Sequence, residues 1–420
     1  MDILPFWSRN THLPRRGAYD SGGTSNILEL VQRDALYDIP ISSYSYGAKA
    51  NHPTEENNAA RSQVFQHGWN STCYQILNEG FERWWSVDRK ALVGYVRSGK
   101  CAVVAGAPIC AEDDLADAVD EWEAYAQGQG LDVCYFGAES RLQSTLKDST
   151  EHIQAQIGLT PEWDPKILSE NFEIYPSLRS QTNRAVNKGV SVELLDRKDA
   201  DTRNELRLLR DDWSSRHNLP QLGFTTMPVS FRSLDDRLVF VAKLNRQAVG
   251  YLVLTPIPSR NGWLAEQFVR SADSPNGTVE LMIKHATDVI RDSGATYLTL
   301  GAAPLAIHQN TWDHSNRNWH NVFFRWVGNK SPHSYNFRGL YEFKAKFRPD
   351  SWQPIALIVK DTRLRAKHIH AISKAFVGSN PVKVITMGLC HELTYWIRRS
   401  MLRQPRAIVA LKHEQILPKS

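Results

Sequence analysis

The apolar positions change spacing three times between residues 263 and 306. WLAEQFV at 263–269 is almost continuous in aromatic and aliphatic side chains, the pattern of a buried strand. Over 278–291, Val279, Leu281, Met282, His285, Ala286, Val289 and Ile290 recur at helical spacing and form one stripe. Gly294 ends that helix, and 295–300 is a second apolar run. The pattern predicts a β-α-β unit with parallel strands, which can be joined only through a crossover of this kind. Upstream, CYQIL at 73–77, the run 91–109, an acidic helix at 112–127 and LDVCYFGA at 131–138 read as β, β, α, β. A polar, proline-punctuated passage at 160–180 marks a joint. After it come a basic helix at 178–188 closed by Gly189, a strand at 190–195, a long amphipathic helix at 200–217, and strands at 238–243 and 248–255. The expected organisation is an extension over 1–50, a first α/β half over 51–168, a second over 169–360 that carries the catalytic site, and a tail over 361–420.

Charge changes this picture at one end. The chain of 420 residues carries a net +5, but residues 361–420 hold eleven Lys and Arg against Asp361, Glu392 and Glu414, so the rest is slightly acidic. A basic tail on a near-neutral body points to a polyanion or an anionic bilayer as partner, or to plain solubility. The first residues lack the apolar core of a signal peptide, and no run reaches the roughly 18 apolar residues of a membrane span. A cytoplasmic protein is expected, peripheral on the membrane if the tail binds it. Five cysteines without C-x-x-C spacing predict reduced, buried thiols.

Four stretches are candidates for chemistry. Asn276, Gly277 and Thr278 stand where the 278–291 helix begins, and the free amides of a helix start hold anions; the same residues equally suit a plain helix cap. Residues 94–100 fit G-x-x-x-x-G-K, but Cys101 replaces the Ser or Thr that binds magnesium and a strand follows, so a hairpin turn is the reading adopted. His308, His314 and His320 with Asp313 match no common metal spacing and read as a polar-aromatic surface segment. YNFRGLYEFKAKFRPDSW, at 335–352, interleaves Arg338, Lys344, Lys346 and Arg348 with aromatics, which suits phosphate contacts or an amphipathic helix with one solvated basic face.

Together SPNGTVELMI, LGAAPLA, YNFRGLYEFKAKFRPDSW and, more loosely, LRSQTNRAVNKGVSVELL and LGFTT resemble one family. It is the soluble carboxyl-terminal domain of the phosphatidylglycerol lysyltransferases and alanyltransferases, with stand-alone relatives that aminoacylate other lipids. The resemblance runs from about residue 70 to 358. It implies a tandem GNAT-like α/β fold of two mixed-sheet halves that moves an amino acid from aminoacyl-tRNA to a lipid hydroxyl, without cofactor or metal. Where the family shows an Asp-Leu-Met-Arg-like run, this chain has Glu266, Gln267, Phe268 and Val269, then Arg270. On the resemblance, Glu266 serves as base or holds the donor's amino group, and Arg270 orients it or a phosphate; the two also suit a structural ion pair between strands. Lys344 and Lys346, with Arg338 and Arg348, would hold phosphates of the acceptor stem or lipid head group.

Two other readings stand beside this one. A coenzyme A-dependent GNAT acyltransferase would place pyrophosphate on the 276–278 turn, though a glycine-rich loop is missing. A non-catalytic RNA- or membrane-binding protein would keep the fold and use the basic tail. Within that tail, 382–402 puts Ile385, Leu389, Leu393, Trp396 and Ile397 near one helical face ahead of four arginines, which suits a bilayer interface or packing on the body.

Overall fold

The computed structural model describes residues 54–196, 198–216, 223–226, 231, 234, 236–304 and 337–377. The extension over 1–50, the histidines at 308, 314 and 320, and the tail segment 382–402 lie outside them.

In chain order the elements are α1 (Thr54–His67), β1 (Glu82–Trp85), β2 (Leu92–Ser98), β3 (Cys101–Ala105), α2 (Leu115–Gly128), β4 (Asp132–Ala138), α3 (Ser140–Thr145) and β5 (His152–Trp163). Next come α4 (Pro165–Ile174), α5 (Pro176–Asn187), β6 (Ser191–Leu194), α6 (Ala200–Arg216), β7 (Leu238–Leu244), β8 (Gln247–Ile257) and β9 (Gly262–Arg270). The chain continues with α7 (Thr278–Asp292), β10 (Tyr297–Thr299), β11 (Ala303–Pro304), α8 (Phe337–Ala345), β12 (Ser351–Lys360) and α9 (Ala366–Val377).

One mixed sheet of 12 strands runs β1-β2-β3-β4-β12-β5-β10-β9-β8-β7-β6, with β11 on β5. Its two ends repeat one plan. In each, an antiparallel ribbon leads through a crossover helix to a parallel strand: β3-α2-β4 in the first half and β9-α7-β10 in the second. The parallel strand then meets an antiparallel neighbour borrowed from the other half. β4 pairs with β12, β10 pairs with β5, and β5 and β12 pair along ten positions at the centre. This is the tandem GNAT-like α/β fold.

Strand period fills both faces. In the second half Val239, Val241, Tyr251 and Val253 pack under Leu206 and Leu209 of α6. Leu238, Phe240, Leu252 and Leu254 face the other way, in the core that also takes Met282, Ile283, Ala286 and Ile290 of α7. The α7 stripe is thus set slightly round the helix from the one read in sequence: Ile283 is buried, while Leu281 and Val289 are only partly covered. Gly294, at φ +85°, closes α7 with Ala295 N–H bonded to the Ile290 carbonyl at 3.0 Å.

Two local expectations need correction. Residues 74–77 form a 3-10 turn rather than a strand; Tyr74, Gln75 and Ile76 are all buried, so no alternation of faces exists to make them a strand edge. The passage after 160 is also not loose. It completes the twelve-residue β5, and Asp164 then caps α4 by accepting the Lys166 amide at 2.8 Å, with Pro165 in the first turn, where proline starts a helix. The run 94–100 is the hairpin, with Ser98 opposite Cys101 and Gly99 at φ +62° in the turn.

Candidate active site

The site is built where β9 and β10 part. They pair only at Gly262–Tyr297, Trp263–Leu298 and Leu264–Thr299. Beyond that point β9 runs on to Arg270 against β8, whereas the chain after β10 bends at Gly301, φ +73°, and β11 joins β5. A wedge therefore opens between two parallel strands just past Leu264, with β9 unpaired by any strand on that side among the described residues.

Glu266 stands at the start of the wedge. Ala265 faces Leu254 and Gln267 faces Val253, so Glu266 is the extra residue of a β-bulge, the device by which a strand re-aims one side chain. Its carboxylate is 3% exposed and pairs with Arg237, whose Nε lies 3.2 Å from Oε2. Gln75 packs beside it. The Gln75 carboxamide can donate to Glu266 Oε1 at 3.3 Å or, turned over, to the carbonyls of Thr72 and Ser71 at 3.1 and 3.3 Å. Arg270 does not meet Glu266; it donates to the Ser274 hydroxyl at 3.2 Å.

Lys344 reaches the opposite side. It is 3% exposed, and its ammonium donates to the carbonyls of Gly301 at 2.8 Å and Ala302 at 2.6 Å, two and three residues past Thr299, the last β10 residue paired to β9. Burial pushes its pKa down to about 7, with no carboxylate paired to it among the described residues. The neighbouring cations are placed differently. Lys346 pairs with Glu280 in the first turn of α7 and lies 4.1 Å from the centre of the Phe343 ring. Arg348, at φ +56°, has its guanidinium 5.2 Å from the centre of the Tyr175 ring. Arg338 lies in α8, its side chain outside the described residues.

The 276–278 turn opens α7 as expected, and α5 lies against it on one side. Gly277, at φ +96°, presses on α5 so tightly that a Cβ there would sit 1.9 Å from the Gln181 carbonyl oxygen. Thr278 is buried and its hydroxyl donates to the Pro275 carbonyl at 2.6 Å. An anion approaching that side of Gly277 would meet an oxygen that repels it. Asn276 has no contact that bears on the site.

Sequence reasoning passed over Asp236 and Arg237. They set an acid and a base next to one another directly ahead of the apolar run 238–242 of β7, and charges abutting such a run are the signal that was available.

The family described as phosphatidylglycerol lysyltransferase, C-terminal, matches residues 61–358. The chain belongs to that family. Among relatives, an uncharacterised protein of Corynebacterium glutamicum is 21% identical over 338 residues, 78% of this chain and 41% of its own length. A lysylphosphatidylglycerol biosynthesis bifunctional protein of Rhodococcus jostii is 26% identical over 315 residues, 69% of this chain and 26% of its own. This member of the phosphatidylglycerol lysyltransferase C-terminal family thus spans less than half the length of those curated relatives. In structure it is similar to the C-terminal domain of a putative lysylphosphatidylglycerol synthetase from Agrobacterium fabrum, with TM-score 0.65, 20% identity, and coverage of 77% of this chain and 98% of that one. It is similar too to L-PGS from Bacillus licheniformis, with TM-score 0.64, 20% identity, and coverage of 76% and 95%. Among the described residues no helix of this family member is long and apolar enough to cross a membrane.

Proposed function

We propose that this chain transfers an aminoacyl group from aminoacyl-tRNA to the hydroxyl of a lipid, of the phosphatidylglycerol kind named for its family. The observation that carries the reading is the wedge past Leu264, flanked by a bulged carboxylate, Glu266, and a buried amine, Lys344. An aminoacyl ester is already activated, so the work left is orientation, one proton transfer and stabilisation of an oxyanion. Paired to Arg237, Glu266 suits the donor's α-ammonium better than it suits a base. Lys344 suits the proton. A neutral amine has two hydrogens, which match the Gly301 and Ala302 carbonyls, and a lone pair left over; a pKa near the working pH is what a general base needs. The lipid oxygen attacks the ester carbonyl as its proton passes to Lys344. The tetrahedral oxyanion takes hydrogen bonds from β9 amides that have no strand partner among the described residues. The bond to the ribose oxygen then breaks, that oxygen recovers the proton, and free tRNA leaves. Arg348 and the basic tail supply surface charge for the tRNA phosphates and an anionic membrane.

Against the coenzyme A reading stands the Gln181 carbonyl of α5, an acceptor set hard against Gly277 of the turn. The test uses bulk tRNA charged with labelled amino acids, acetyl-coenzyme A, and vesicles with or without phosphatidylglycerol. Label moving into the lipid phase with release of free tRNA is expected. Consumption of acetyl-coenzyme A instead, or binding of tRNA or vesicles without turnover, would overturn the proposal.

A further inference from the structure

Immediately ahead of β7, Asp236 and Arg237 set opposite charges side by side in the core, 2% and 8% exposed. Buried charges are costly unless each is paired, and these two find partners in different directions. Asp236 receives both arms of Arg61 from α1, Nε on Oδ2 at 2.7 Å and Nη2 on Oδ1 at 2.5 Å, and the Tyr74 hydroxyl donates to Oδ2 at 3.0 Å. Arg237 sends Nε to Glu266 Oε2 at 3.2 Å and Nη2 to Asn78 Oδ1 at 2.8 Å. Its guanidinium also lies 4.8 Å from the centre of the Tyr74 ring. Arg61, Asp236, Arg237 and Glu266 therefore alternate in sign along one line. It begins on a side chain 37% exposed and ends on a carboxylate 3% exposed.

Two features set this line apart from an ordinary buried pair. Tyr74 serves both links, holding Asp236 by its hydroxyl and Arg237 by its ring. Arg237 also contacts Glu266 through a rigid, planar group, fixing Oε2. We infer that Arg237 is the positioning residue of Glu266, and that Asp236, anchored by Arg61 and Tyr74 of the first half, holds Arg237 in place. The angle at which Glu266 meets the donor aminoacyl group is then set from across the molecule. This rests on the function proposed above.

Arg237→Lys keeps the charge and loses the fork, and Asp236→Asn keeps the shape and loses the charge. With bulk charged tRNA and phosphatidylglycerol vesicles, each lowers kcat by about 10- to 100-fold, the cost of misplacing a reacting group by about 1 Å. KM for tRNA stays within about threefold. Arg237→Lys added to Glu266→Gln costs nothing further. A matching rise in KM, or multiplied losses in the double variant, would overturn the inference. A second readout needs no turnover: carbodiimide labelling of Glu266, followed by mass spectrometry on the folded full chain. Labelling rises in both variants if Arg237 fixes the carboxylate, and equal labelling in wild type and variants refutes it. Absence of transfer by the wild type, with labelling still rising, would sink the proposed function and leave the positioning role standing.

Discussion

Lys344 makes the stability of the protein depend on pH in a window where few groups titrate. Its amine is buried with two carbonyl partners, and its pKa falls from 10.5 to about 7 on folding. Below pH 7 the side chain is protonated whether the chain is folded or unfolded, and the cost of burying the charge is fully present. Above pH 7 the native state releases the proton while the unfolded state keeps it, so stability rises with pH until the unfolded amine titrates as well. Each unit is worth about 1.4 kcal/mol, so Lys344 alone adds about 2–3 kcal/mol between pH 7 and pH 9. Lys344→Met removes the titration while filling a similar volume. Urea midpoints of both proteins at pH 7 and pH 9 isolate the effect, because every other group titrates in both. The wild type should gain about 2–3 kcal/mol over the variant across that interval. Parallel pH dependence would show that Lys344 keeps its proton in the folded protein, and its role as base would fall with it.

Glu266→Gln is nearly isosteric, and it should lower aminoacyl transfer by about 100- to 1,000-fold while the circular dichroism spectrum stays unchanged; wild-type turnover would remove Glu266 from the site. Gly277→Ala forces a Cβ to 1.9 Å from the Gln181 oxygen at φ +96° and should lower thermal stability by about 2–4 kcal/mol, with an unchanged melting temperature refuting the tight α5–α7 contact. Lys346→Ala strands Glu280, and its effect should appear as a loss of about 1–2 kcal/mol in denaturation rather than as a weaker salt dependence of tRNA binding. Removing residues 381–420 should reduce sedimentation with anionic vesicles at low salt more than affinity for tRNA. Full sedimentation of the shortened chain would take the membrane role from the tail.

The β9-α7-β10 unit was legible because its signals are local: an apolar run, a helical stripe and Gly294 all lie within about forty residues. The hairpin at Gly99 was legible for the same reason. Strand exchange was not, because nothing near Ala356 indicates that it pairs with Ala138. Lys344 and Lys346 looked interchangeable in sequence, but their distance from one another around α8 and its exit decides that one enters the core and the other meets Glu280. Glu266 was singled out only by the resemblance, at the place of the family's Asp-Leu-Met-Arg-like run. Its partner was not, since Arg237 lies on the approach to another strand and only the sheet brings the two together. Residues 165–174 were read as a joint because proline and polar side chains also start helices.

The exchanged strands also bear on how the protein is made. During synthesis β4 is complete long before its neighbour β12 exists, since more than two hundred residues separate Ala138 from Ala356. At about 5–20 residues per second, the edge of β4 waits roughly 10–40 s for its partner. Through that interval the nascent chain presents an open strand edge carrying Cys134, Tyr135 and Phe136, the kind of template on which unrelated chains can pair. A chain stopped after β5 would keep that edge open for good, and it should aggregate rather than fold as an independent half.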